Sequence, residues 1–285
     1  MPETYSAHES RVYYVEETAY GQTPTNPSML SVPAESLEPA VTPNNIKLRG
    51  VGSVDLQAIK KGLRAPSLKI GFPLPSDAPI SFLQYLKSEL DKSLSIQSLY
   101  YKGVFSSATD IISLIYTGCK FQRATVECSI EDVVKATAEL LAQNVTPGTA
   151  KISGATYSDY SGAVPFYESY VKKDTTTLER VTDWKFTVEN NLKQVPVIRN
   201  PNGNILKYLP YRHRDLTGEI TFEFESKEEF DDVVNDAEFT LEFGLGGTHK
   251  TVFTGCKWEN VAIPTRVEEL VSLKARFVAK TVAIS

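Results

Sequence analysis

"YTGCKFQRATVECSIEDVVKATAELLAQNV" runs from Tyr116 to Val145, and "FTGCKWENVAIPTRVEELVSLKARFVAKTV" from Phe253 to Val282. Laid over one another at a constant offset of 137 they need no gap, and nine of thirty positions are identical. Average composition would give about two. The identities are Thr, Gly, Cys and Lys of the opening, then Glu131/Glu268, Val134/Val271, Ala138/Ala275, Ala142/Ala279 and Val145/Val282. Phe121/Trp258, Ile130/Val267 and Asp132/Glu269 are close substitutions. A match of this length argues for an internal repeat.

The repeat extends upstream with shifting offsets. "SLKIGFPLPS" (Ser67 to Ser76) lies over "TGEITFEFES" (Thr217 to Ser226) at 150, and "MLSVPAESLEPAV" (Met29 to Val41) over "WKFTVENNLKQVP" (Trp184 to Pro196) at 155. The repeats then occupy roughly 10–145 and 165–285, joined by the polar stretch "TPGTAKISGATYSDYSG". The expected domains are 1–149, a first module with its N-terminal arm, and 150–285, a second module that includes the connection.

Periodicity predicts what each repeat contains. In "VSLKARFVAK" the residues Val271, Leu273, Ala275, Phe277 and Ala279 alternate with polar neighbours, the pattern of a half-buried strand. Val134, Ala136, Ala138, Leu140 and Ala142 do the same. "GEITFEFE" turns Ile220, Phe222 and Phe224 to one side, and "EFTLEFG" turns Phe239, Leu241 and Phe243. "SKEEFDDVVND" reads as a helix capped by Ser226, with Glu229 closing a capping box and Phe230, Val233 and Val234 facing inward. Its expected counterpart is "SDAPISFLQYLKSEL", with Phe82, Leu83, Leu86 and Leu90 inward. "NPNGN" (Asn200 to Asn204) and "GLGG" (Gly244 to Gly247) mark turns. The expected fold is mainly β, two tandem antiparallel sandwich or barrel modules with one short α-helix each. Alternating strands with a polar face suit a barrel, or a sheet extended between subunits.

Composition narrows the function. The 285 residues are 41% hydrophobic and 23% charged, an ordinary globular mixture, and no run approaches the ~20 apolar residues of a membrane-spanning helix. "MPETYSAHES" lacks the pattern of a secretory signal, so the expectation is a cytosolic origin without membrane insertion. A net charge of −5 argues against gripping nucleic acid along a basic face, though not against a surface DNA slides past. Cys119, Cys128 and Cys256 match no zinc or redox spacing and read as reduced, buried thiols. His8, His213 and His249 are isolated from other ligands, and no phosphate loop, nucleophile elbow or HExxH motif occurs. No enzyme activity, metal or cofactor is expected.

One stretch invites a functional reading. Between Thr217 and Gly244 there are ten acids against one base, Lys227. Either the strand acids pair across the sheet with Lys274, Arg276 and Lys280 while the helix acids are solvated, or some line a channel whose negative wall keeps a polyanion from sticking.

A family resemblance bears on that choice. "YVEETAYGQTPTNP" (Tyr14 to Pro27), followed by "ESLEP" (Glu35 to Pro39), resembles the opening of the tail tube proteins of long-tailed phages and related viruses. "TTLERVTDWKFTVENNL" (Thr176 to Leu192) is similar to a recurring segment of the same family. The resemblance implies rings stacked into a hollow tube through which the genome is ejected, neighbouring subunits sharing one continuous barrel. With six modules per ring and two per chain, it implies a trimeric ring, with a hexamer of the whole chain as the alternative. It further implies a tape-measure protein in the lumen during assembly, terminator and tip proteins at the tube ends, and viral DNA in transit without specific binding. On that reading Glu219, Glu223, Glu225, Glu238 and Glu242 are lumen candidates, while Glu17, Tyr20, Gln22, Asn26, Lys47 and Arg49 are candidates for contacts between stacked rings. The alternatives are the inner tube of a contractile injection or secretion system and a two-domain β-sandwich adhesin or binding protein.

Overall fold

Side chains that alternate in polarity along a strand need a core on one side only, and this chain meets that requirement almost throughout. A computed structural model describes residues 4–199, 201–265 and 271–285. The first half forms β1 (Ser10–Glu16), β2 (Ser28–Val32), β3 (Ser36–Thr42), β4 (Ile46–Leu48) and β5 (Ala58–Lys60). It continues with β6 (Ala65–Pro73), β7 (Leu94–Tyr101), β8 (Ile111–Ser129), β9 (Lys135–Leu141) and β10 (Asn144–Gly148). The second half forms β11 (Thr156–Ser158), β12 (Ser169–Lys173), β13 (Thr176–Thr177), β14 (Val181–Glu189) and β15 (Asp215–Glu223). After the helix α1 (Glu228–Val234) come β16 (Phe239–Leu245), β17 (Lys250–Ala262), β18 (Ser272–Val278) and β19 (Thr281–Ile284). The fold is mainly β.

Eight strands make one antiparallel sheet through both halves, in the order β3-β6-β9-β8-β14-β15-β18-β17. The join between halves is the ladder of β8 with β14, where Trp184 faces Cys128 and Val188 faces Ala124. Each half adds a smaller sheet by bending its longest strand. The first part of β8 pairs with β7 and β10, and the first part of β17 with β16 and β19. The bends fall at Gly118 and Gly255, whose φ values of 63° and 68° are the left-handed region that glycine alone enters without strain. That is why both repeats carry a glycine there. The cysteine that follows is buried in each copy, and the lysine after it reaches an aspartate: Lys120 to Asp91 at 2.6 Å, Lys257 to Asp236 at 2.7 Å.

Every major ladder of the first half has a counterpart in the second. β6–β9 and β15–β18, β8–β9 and β17–β18, β8–β10 and β17–β19, and β1–β7 and β12–β16 are all antiparallel. Bulges recur at Phe121/Arg123 and Trp258/Asn260. Ala124 faces Ala138 as Val261 faces Ala275, an offset of 137, and Ile70 faces Ala138 as Ile220 faces Ala275, an offset of 150 on the first strand. The expected alignment of Met29 with Trp184 at 155 is overturned. Met29 lies on β2 in a ladder with β1, whereas Leu37 faces Ile70 as Trp184 faces Ile220, which puts the offset at 147. The loop following β2 misled the gapless comparison. The matched pairs Glu131/Glu268, Ile130/Val267 and Asp132/Glu269 involve a segment outside the described residues.

The large sheet and the small ones close over a shared core. In the second half Trp184 and Phe277 of the large sheet meet Phe243 of the small one, with ring centroids 5.2 and 5.9 Å apart. In the first half Phe82 fills the gap between Tyr14, Phe72 and Phe121. The inward series Val134 to Ala142 is buried throughout, as are Leu273, Ala275 and Phe277, and Phe239, Leu241 and Phe243.

Several local expectations are corrected. "SDAPISFLQYLKSEL" forms two 3-10 turns, Leu83–Leu86 and Ser88–Leu90, in place of an α-helix, and Leu90 is exposed. Asp91, at φ 43°, ends helical geometry three residues before β7 begins at Leu94. α1 turns an acid inward: Glu229 is buried against Arg180 at 2.5 Å and closes no capping box, while Val233 and Val234 are exposed. The predicted apolar stripe packs through Phe230 alone. Phe224 lies past the end of β15 and is exposed. In the turn 200–204, Asn202 takes φ 70°, and Asn200 lies outside the described residues. The connection between halves packs on the first: β11 runs parallel to β2, and Asp159 pairs with Arg11.

Candidate assembly interface

Three surfaces remain unused by the chain's own packing: the polar face of the eight-stranded sheet, its two outer edges, and an arm between β3 and β6.

The polar face carries charge in rows set by strand register. Glu38 lies beside Lys69, Lys69 beside Glu139, Glu139 beside Arg123, Arg123 beside Glu189, and Glu189 beside Asp215. A second row runs Lys135, Glu127, Lys185, Glu219, Arg276. Between them stand Thr137, Thr125, Thr187 and Thr217, with the Thr125 and Thr187 hydroxyls 2.9 Å apart. Opposite charges facing across strands stabilise a ladder by roughly 0.2–1 kcal/mol per pair, and they cancel one another's field.

The candidate acids divide between sheets. Glu219 belongs to the second row, 3.6 Å from Arg276 and 4.0 Å from Lys185. Glu223 closes the same strand and is exposed, and Glu225 follows it, also exposed. Glu242 belongs to the small sheet, and Glu238 stands just before its strand β16. Glu238 pairs with Lys280, and Glu242 meets Lys250 at 2.8 Å and accepts a hydrogen bond from Tyr170 at 2.7 Å. Lys250 and Tyr170 hold the Glu242 carboxyl below its ordinary range. Burial and that same contact push the Tyr170 hydroxyl up to about 12. Two of the helix acids are withdrawn from water, Glu229 against Arg180 and Asp232, which takes Lys173 at 2.6 Å and the Trp258 indole N–H at 3.0 Å, while Glu228 and Asp231 stay half exposed. Lys274 stands opposite Thr221 on one ladder and Ala262 on the other. Of the three expected partners, Arg276 meets Glu219 and Lys280 meets Glu238, whereas Lys185, Lys250 and Tyr170 depend on register and are not legible in the sequence.

The candidates for ring contacts divide as well. Glu17 is buried, and its carboxylate accepts four hydrogen bonds from within the chain, from the Gly21 and Gly118 amides and the Ser93 and Ser95 hydroxyls, at 2.6–2.8 Å. Tyr20 is half-buried, its ring over the Lys120 ammonium. Gln22, Asn26, Lys47 and Arg49 are exposed. Lys47 lies on the arm, a hairpin of β4 and β5 that pairs with no other strand. Its tip leaves Val51 and Val54 fully exposed, with Ile46 and Ile59 more than half so.

The sheet edges escaped the sequence reading. Among the described residues β3 has a partner only in β6, and the last part of β17 only in β18. Burial pushes the Cys128 thiol up to about 11 and the Cys256 thiol up to about 12, and raises that of Cys119 as well. No cluster of metal-ligating side chains occurs among the described residues, and no described helix is long and apolar enough to cross a membrane.

Comparison with known proteins agrees with this picture at the level of family. The family described as "Phage tail tube protein" matches residues 7–284. No curated protein matches the sequence. Among solved structures, a chain of the anti-feeding prophage (AFP) baseplate, determined by cryo-electron microscopy with 6-fold symmetry, is similar at 14% identity. It has a TM-score of 0.39, and the match covers 53% of this chain and 99% of that one.

Proposed function

The chain belongs to the phage tail tube protein family, and from that premise we propose that it is a structural subunit of a viral tail whose copies close into rings and stack into a hollow tube for genome ejection. The observation that carries the reading is the eight-stranded sheet with an open strand at each end. Unpaired edges invite further strands, and a closed barrel removes them. We read residues 1–149 and 150–285 as two tube modules, on the strength of the matched ladders and bulges, with the connecting segment packed on the first. Two modules per chain give three chains in a ring of six modules, with a ring of six chains as the alternative.

In this tube the polar face of the large sheet lines the bore. Its two rows alternate in charge except at Glu189 and Asp215 and nearly balance acids with bases, so DNA passes a wall that neither attracts nor strongly repels it. Glu219, Glu223 and Glu225 belong to that wall or its rim, while Glu238 and Glu242 brace the small sheet. The exposed apolar arm, with Lys47 and Arg49, and the loop bearing Gln22 and Asn26 contact the neighbouring ring. Glu17 and Tyr20 hold that loop in place from inside. The tape-measure protein occupies the bore during assembly in the host cytoplasm, and terminator and tip proteins cap the ends.

Negative-stain imaging of the purified full chain tests the reading. Rings or tubes of uniform bore are expected. A persistent monomer at high concentration would overturn it and leave a two-domain binding protein as the better account.

A further inference from the structure

The two open edges of the large sheet have a template inside the chain. At the junction of the halves, β14 lies on β8 with Trp184 opposite Cys128, Phe186 opposite Val126 and Val188 opposite Ala124, and all six are buried. Register makes β3 the counterpart of β14, since Leu37 and Trp184 face Ile70 and Ile220 on matched ladders. It makes the end of β17 the counterpart of the end of β8, since Val261 and Ala124 face Ala275 and Ala138. One end of the chain therefore presents the kind of edge that β8 offers, and the other the kind of strand that β14 adds.

We propose that β3 of one chain adds to the end of β17 in a second copy, antiparallel, in the register that seats Leu37 opposite Thr265, Pro39 opposite Ile263, Ala40 opposite Ala262 and Val41 opposite Val261. The proposal rests on the tube reading and specifies its seam.

Burial argues for this partner. Val41 is 43% exposed, whereas Val188, its counterpart at the internal junction, is fully buried. Leu37, Val261 and Ile263 touch the core yet stay only partly covered. Pairing in this register would cover the whole apolar row at once. A slip of one residue would turn that row to the polar face. On the polar side Ala40 and Ala262 meet where Thr187 and Thr125 meet internally, so small side chains again face one another. Pro39 and Pro264 stand on the two edges and each lacks a ladder N–H, so the seam holds fewer backbone hydrogen bonds than the internal junction and leans more on the apolar row.

Disulfide trapping tests the register. Opposed Cα atoms in an antiparallel ladder lie about 4.5–5.5 Å apart, within the Cα separation that a disulfide spans. The three native cysteines are buried. The full chain carrying Ala40→Cys with Ala262→Cys, assembled and gently oxidised, is expected to give covalent multimers on a non-reducing gel. Either single variant, or the slipped pair Ala40→Cys with Pro264→Cys, is expected to give almost none. Hydrogen exchange on the unaltered protein is the second measurement: amides at 40–42 and 261–263 are expected to slow on the order of 100-fold on assembly. Rings that form while the slipped pair links, or without protection of these segments, would overturn the register and leave the tube reading standing. A chain that stays monomeric, with neither link nor protection, would overturn both.

Discussion

The two glycines that bend β8 and β17 hold the smallest positions on which the fold depends. A Cβ at Gly118 would sit 2.7 Å from the Gln143 Cβ, and one at Gly255 would sit 2.6 Å from the Lys280 Cδ, both at positive φ. Gly118→Ala should therefore lower stability by about 1–3 kcal/mol in denaturant unfolding. Gly148→Ala, in open space at an ordinary φ, should change it by less than about 0.5 kcal/mol. Equal effects at the two sites would remove the strain argument. Glu242 makes a second test. Its carboxyl titrates below the ordinary 4.5 because Lys250 and Tyr170 favour the charged form. The stabilisation is complete above that ordinary value and is lost as pH falls through the lowered one. A melting series between pH 6 and pH 3 should show a steeper acid-side loss for the wild type than for Glu242→Gln. At this scale the sequence is informative where one residue type has one physical use: repeated GCK announces a bend and a buried thiol. It is silent where a side chain has several. The Glu17 carboxylate reads as a surface acid in a polar loop, and only the fold brings the Gly118 amide to it.

Among the elements, long alternating strands are legible because their burial depends on period alone, and β9, β16 and β18 follow their patterns. Short helices are not. Seven residues in α1 gain little from helical periodicity, and its orientation is decided by Lys173 of β12 and Arg180 of the turn before β14 reaching its acids. The upstream repeat failed for a related reason. "SLEPAVT" (36–42) and "DWKFTVE" (183–189) share almost no residues, and the ladder alone makes them equivalent. The arm of β4 and β5 is the element with the clearest separate role. Its ends adjoin, the Asn44 amide donating to the Leu63 carbonyl at 3.0 Å, so replacing 45–61 with a short Gly/Ser link should leave the sheets intact. Sedimentation and imaging of that variant should find rings without stacks. Tubes of normal length would show that the arm is dispensable for stacking.

At the scale of the whole molecule, the matched ladders and the open edges argue together. A sheet that joins two similar halves by one strand pair can join copies of the chain by another, and repetition closes it into a ring. The sequence discloses the repeat through its offset of 137, yet not the seam, because an edge is defined by the strand missing beside it. The central claim is that two modules per chain make three chains per ring. Native mass spectrometry of isolated rings, with rotational averaging of end-on images, tests it most directly. The account predicts a mass three times that of the 31.6 kDa chain, with threefold symmetry that approaches sixfold at low resolution. A ring of six chains would contradict it.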